Sequence, residues 1–186
     1  MPFGSLWLPV VVSTVAVFLV SSVLHMVLKY HRADVKPLSD ESEVAPALRK
    51  AAPAPGVYIL PYCAEMSQMK DPAFIKKYEE GPVALLTVLK SGVPNMGKSL
   101  GLWFLFCFLV SFTVGYLARH TLGFDTDPRT VLQITGAVAF VGYGYGRFQD
   151  SIWHGVPWSN SLRGLIDAAV YAVVTGLAFR FLWPEA

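Results

Sequence analysis

The sequence predicts an all-α membrane protein: a four-transmembrane-helix bundle with a small mixed α/β cytoplasmic insert between helices 1 and 2. Three observations carry this. Of 186 residues, 54% are hydrophobic and only 15% are charged, whereas soluble domains carry about a quarter charged residues. Four apolar stretches reach or approach the ~20 residues that a helix needs to cross a bilayer core. All but three of the 15 Lys and Arg fall in segments that this layout places on one side of the membrane, as cytoplasmic connections do.

The first stretch, "LWLPVVVSTVAVFLVSSVLHMVL", spans 6–28. It has no basic segment before it and no small-residue cleavage site after it, so it reads as a retained anchor rather than a signal peptide. Lys29, His31, Arg32 and Lys36 follow directly. The chain therefore divides into helix 1 over 1–28, an insert over 29–98 and helices 2–4 over 99–186.

The insert is too long for a plain connection. "SDESEVAPALRKA" has acidic residues early and basic ones late, as a helix dipole favours, and Ser39 or Asp40 can cap it. "APAPG" ends that helix. "VYILPY" reads as a strand, and "DPAFIKKYEEG" as a helix with Asp71 as cap, Pro72 at its first position and Gly81 past its end. "VALLTVLKSG" reads as a second strand. With few large apolar side chains, such a segment is marginal as an independent domain. In "CAEMSQM", Cys63, Met66 and Met69 carry soft sulfur ligands suited to Cu(I). No second cluster completes a site, and Met is an ordinary gap-filler.

"GVPNMGKSL", at 92–100, fits the phosphate-binding pattern G-x-x-x-x-G-K-[ST]. That pattern works at a helix N-terminus in a soluble parallel sheet. Here the following helix is the second span, "LGLWFLFCFLVSFTVGYL", and too little chain precedes it to build such a sheet. Nucleotide binding is therefore set aside. What remains is a lipid-phosphate contact at Gly97, Lys98 and Ser99, with Lys98 reaching the headgroups.

The third span is "VLQITGAVAFVGYGYGRF", at 131–148, with Asp127 and Pro128 as cap and first position. Its "VGYG" echoes a potassium-channel filter, but a filter is an extended loop from four subunits. Gly142 and Gly146 instead form a G-x-x-x-G pair that lets helices approach. The fourth span is "LIDAAVYAVVTGLAFRFLW", at 165–183. Asp167, Tyr171, Thr175 and Ala178 share an arc with Ala168, Ala172 and Gly176, which should face the bundle. Ile166, Val170, Val173 and Leu177 lie opposite. Tryptophans near the span ends suit an interfacial belt.

Both termini should then lie outside, with 29–98 in the cytoplasm and Cys63 reduced. Two cysteines make no disulfide framework. A net charge of +2 gives no reason to expect nucleic acid. The layout resembles small bacterial inner-membrane proteins, a resemblance that carries no activity.

Ionisable residues in spans are costly and mark function. His25, Asp150, His154 and Asp167 all fall near the cytoplasmic surface. His154 lies roughly 40 Å of helix from Asp127, beyond the ~30 Å hydrocarbon core. Asp167 lies roughly 9 Å into the fourth helix if Ser161 caps it. His31 sits among solvated basic residues and His120 at the outer end of helix 2.

The leading expectation is a non-catalytic accessory, assembly or interaction subunit without cofactor. Asp167 would pair with Arg163, Arg147 or His25 to fix helix register. Its partners would be the bilayer and a membrane protein docked on small-residue faces. The alternative is a membrane-embedded Zn or Fe site, or a metal enzyme, built on His25, Asp150, His154 and Asp167. A third reading, a proton-coupled transporter, suits four spans without an internal repeat poorly.

Overall fold

The computed structural model describes residues 3–51 and 54–185. The chain forms two compact units: Met1–Val35 with Asn95–Ala186, and Lys36–Pro94.

The smaller unit follows its local signals. Helix α2 (Glu41–Ala51) begins at Asp40, whose carboxylate accepts the Glu43 N–H at 3.1 Å and the Ser42 hydroxyl at 2.6 Å. The predicted break at "APAPG" falls partly on residues 52 and 53, outside the described residues. Strands β1 (Gly56–Leu60) and β2 (Ala84–Val88) pair antiparallel from Gly56↔Val88 to Leu60↔Ala84. Helix α3 (Pro72–Glu80) is capped by Asp71, which accepts the Ala73 N–H, and Gly81 follows at φ 64°. Only Phe74 is buried within these four elements. So little apolar burial agrees with the marginal core expected of this segment. The Cys63 thiol donates to the Glu65 carbonyl at 3.1 Å, while Met66 is exposed.

The larger unit is helical. Helix α1 (Trp7–Ser22) continues into a widened π turn at Val23–Val27 and then a 3-10 turn at Lys29–Asp34. Helix α4 spans Met96–Thr121, α5 spans Pro128–Gly144, α6 spans Gly146–Trp153 and α7 spans Trp158–Phe181. Among the described residues, three helical stretches are long and apolar enough to cross a membrane: Gly4–Val27, Met96–Thr121 and Trp158–Phe181. The stretch expected as the third span is not one helix. It breaks at Tyr145, between Gly144 and Gly146, in the glycine-rich "GYGYG", where the backbone bends at low cost.

Lipid tails are as apolar as leucine, so helices in a bilayer associate through close packing and small residues. The most extensive contact is between α5 and α7. A Cβ at Gly176 would lie 2.9 Å from the Leu132 carbonyl oxygen, and one at Gly136 would lie 3.3 Å from that of Ala172. Gly144 packs on Ala168 in the same seam. The expected Gly142/Gly146 pair does not form this contact. Gly142 meets Val110 of α4, and a Cβ at Gly146 would meet nothing within 4 Å. On α7, Asp167, Ala168, Tyr171, Ala172, Thr175 and Gly176 are buried and Ile166 and Val173 exposed, as the arc predicted, while Ala178 of the inward arc and Val170 and Leu177 of the outward one are half-buried. Helix α1 closes the core through Val10 and Val17, and the Trp103 indole donates to the Ser21 hydroxyl at 2.7 Å.

Candidate metal centre

The end of α1, the start of α4, the α5–α6 joint and the first half of α7 meet at one end of the larger unit. Asp167 is 3% exposed there. Helix α7 begins at Trp158 rather than near Ser161, so Asp167 lies about 14 Å along it. Ser161 is internal and donates to the Arg147 carbonyl at 2.8 Å. A buried carboxylate needs partners, and they arrive from the turn after α1. His31 Nε2 lies 2.8 Å from Asp167 Oδ2, and the Tyr30 hydroxyl donates to Oδ1. His25 Nε2 is 3.8 Å from Oδ2. The two imidazoles stack, with ring centroids 4.4 Å apart and planes 5° from parallel.

His25, His31 and Asp167 thus each offer one ligand atom, all within 4.8 Å of one another. Each is also held from behind. His25 Nδ1 lies 3.0 Å from the Ser21 carbonyl oxygen, and His31 Nδ1 lies 2.6 Å from Asp34 Oδ2. Tyr30 holds the other oxygen of Asp167. Metal-binding histidines characteristically donate their second ring nitrogen to a carbonyl or carboxylate, which fixes ring orientation.

Asp34 is fixed in turn. Arg163 Nε donates to its Oδ1 at 2.6 Å, and the Asn160 amide donates to its backbone carbonyl at 2.9 Å. Burial pushes the Asp34 carboxyl up, but hydrogen bonds from His31 and Arg163, with their charge, hold it below the usual carboxylate range. Burial, the hydrogen bond to Asp167 and the neighbouring carboxylates push the Tyr30 phenol up to about 12. Tyr30 therefore stays neutral and donates. His31 thus faces a carboxylate at each ring nitrogen.

The residues expected to bind metal separate into two groups. His25 and Asp167 meet. Asp150 pairs instead with exposed His154, Oδ1 to Nδ1 at 3.3 Å. Asp150 still lines the cavities beside His25. His31 was read as solvated, yet its side chain is 17% exposed and it completes the triad. Arg163, expected beside Asp167, serves Asp34. At the lipid-phosphate position, Asn95 accepts the Lys98 N–H on its side chain and the Ser99 N–H on its carbonyl. Two N–H groups of that cradle are thereby occupied.

Two cavities adjoin the triad. One of about 760 Å³ is lined by His25, Asp167, Arg147, Trp103, Phe106 and Tyr171, among others. A smaller one, about 410 Å³, has a polar wall including His31, Asp34 and Asn160. His25, Arg147, Asp150 and Gly164 border both.

No family model, curated protein or solved structure matches this chain.

Proposed function

We propose that this chain is an integral membrane protein that holds one transition-metal ion through His25, His31 and Asp167. The carrying observation is that three ligand atoms converge, with Ser21 behind His25, Asp34 behind His31 and Tyr30 on the other oxygen of Asp167; because the two imidazoles stack nearly parallel, binding one ion requires the half-exposed His25 ring to turn. Two imidazoles and one carboxylate suit Zn or Fe(II), and three protein ligands leave coordination positions open for water or a ligand. Structural zinc sites are closed by four protein ligands. An open position beside a cavity instead suits a metal that binds and polarises a small molecule.

The setting belongs to the same proposal. Helix α5, extended through α6, is the fourth crossing element of a four-helix bundle. The insert lies in the cytoplasm, both termini lie outside, and the metal sits at the cytoplasmic end, in a bacterial inner membrane.

Metal analysis tests the reading. The protein is purified in mild detergent without chelator or affinity nickel, and its metals are measured by mass spectrometry. The expected result is near-stoichiometric Zn or Fe that falls at least tenfold in His25→Ala and His31→Ala variants that remain monodisperse. Wild-type protein that stays metal-free after supplementation with both ions overturns the proposal. Asp167 would then be a packing residue, and the accessory-subunit reading would lead.

A further inference from the structure

The larger cavity has an apolar part and a polar end, and the polar groups at that end are unequally satisfied. Asp167 accepts from Tyr30 and faces His31, and Asp150 faces His154. Arg147 lines the same cavity, and its guanidinium has no hydrogen-bond or ion-pair partner among the described residues. Tyr171 also lines it. It is 3% exposed, and its hydroxyl has no hydrogen-bond partner among the described residues. The unanswered groups are therefore a cation and a buried donor. Both call for an oxygen acceptor, and Arg147 for a negatively charged one. A buried hydroxyl left without a partner is costly, which favours a ligand that engages it.

The rest of the cavity is built for hydrocarbon. Trp103, Phe106 and Tyr143 form its wall, and Met26, Leu100 and Met96 stand exposed at its rim. All but Tyr143, which α5 supplies, belong to helices apolar enough to cross a membrane. A volume of about 760 Å³ lies within the roughly 300–1,000 Å³ of small-molecule sites.

We propose that this cavity takes an anionic amphiphile, with a phosphate or carboxylate headgroup at Arg147 and Tyr171 and one apolar tail along Trp103 and Phe106. The inference deepens the metal reading and rests on it for a third contact: a headgroup oxygen completes the open coordination of the metal. Arg147 and Tyr171 supply two contacts that need no metal.

The test uses the full chain in maltoside micelles, titrated with dodecyl phosphate, dodecanoate, dodecanol or inorganic phosphate and followed by calorimetry. At least one of the two anionic amphiphiles binds saturably, and the tighter one identifies the headgroup. Dodecanol and inorganic phosphate bind at least tenfold more weakly. Arg147→Gln weakens anion binding at least tenfold and Tyr171→Phe several-fold, with metal content unchanged. Gly146→Leu, at a cavity-lining position where an added Cβ has nothing within 4 Å, extends a side chain into the cavity and abolishes binding. Dodecanol binding as tightly as the anions overturns the headgroup assignment. Anion binding that survives both Arg147→Gln and Gly146→Leu overturns the location. The two readings fail separately. Metal-loaded protein that binds no amphiphile sinks this inference and leaves the metal site. Metal-free protein that binds dodecyl phosphate or dodecanoate in an Arg147-dependent manner does the reverse.

Discussion

Asp167 concentrates the chemistry of the molecule in one carboxylate. Its oxygens face Tyr30, His31 and, at 3.8 Å, His25. In Asp167→Asn one oxygen becomes an NH₂ group, so a donor meets a donor at Tyr30 or His31. Losing a hydrogen bond to a charged group costs roughly 1.5–3 kcal/mol. The variant should unfold at lower temperature and also lose its metal. Arg163→Ala separates these effects. It removes the 2.6 Å contact to Asp34 at a cost of the same order, but no ligand atom is lost. Thermal unfolding in detergent should fall for both variants, and only Asp167→Asn should lose the further stabilisation that added metal gives the wild type. Equal metal responses in the two would argue that Asp167 is not a ligand. Asp167 was legible because a carboxylate in an apolar helix is conspicuous. His31 was not. In sequence it stands among Lys29, Arg32 and Lys36, where solvation is the ordinary fate. Nothing local announces that a 3-10 turn carries it to α7, 136 residues away.

At the scale of elements, the strong local signals held. Asp71, Pro72 and Gly81 fixed α3, and Asp40 capped α2. The buried arc of α7 followed from side-chain size. What the sequence did not show was where a helix breaks and which glycines form the closest seam. The expected third span carried the right apolar content but breaks at Tyr145, because glycines on either side leave the bend to be decided by packing. The G-x-x-x-G at 142–146 likewise reads as a helix contact, yet the close seam uses Gly136, Gly144 and Gly176. That assignment has a direct test. A Cβ at Gly176 would sit 2.9 Å from a backbone oxygen that cannot swing away. Gly176→Ala should therefore force α5 and α7 apart and cost roughly 1–3 kcal/mol, the usual penalty of overpacking. Gly146→Ala, in open space, should leave stability unchanged or slightly raised. Thermal unfolding of the two variants decides it, and equal stability would place the seam elsewhere.

For the whole molecule, the open question of architecture is how many times the chain crosses the bilayer. Three helices qualify by length and composition. Helix α5 has 17 residues, or roughly 25 Å, short of the ~30 Å hydrocarbon core. Helix α6 follows after a single residue that keeps helical backbone angles, so the pair can span where α5 alone falls short. In the proposed layout the Lys and Arg distribution favours the same. If α5 and α6 did not cross, Arg119 and Arg129 would share a side with Arg147 and Arg163, and the odd number of crossings would put the termini on opposite faces. Cysteine accessibility tests this without disturbing the fold. Cys107 is fully buried, and Cys63 is partly exposed in the insert. In cells expressing the protein, a membrane-impermeant maleimide should label Cys63 only after the inner membrane is opened. With Cys63 replaced by Ser, a cysteine introduced by Asp125→Cys, in the connection between α4 and α5, should label in intact spheroplasts, and one introduced by Ser159→Cys, at the start of α7, should not. Labelling of both introduced cysteines from the same side would leave α5 and α6 as a re-entrant hairpin. The His25, His31 and Asp167 cluster would keep its geometry, because its residues come from the π turn that extends α1, the 3-10 turn after it and α7. The larger cavity would then open through Arg147 on a segment that lines the membrane rather than crosses it.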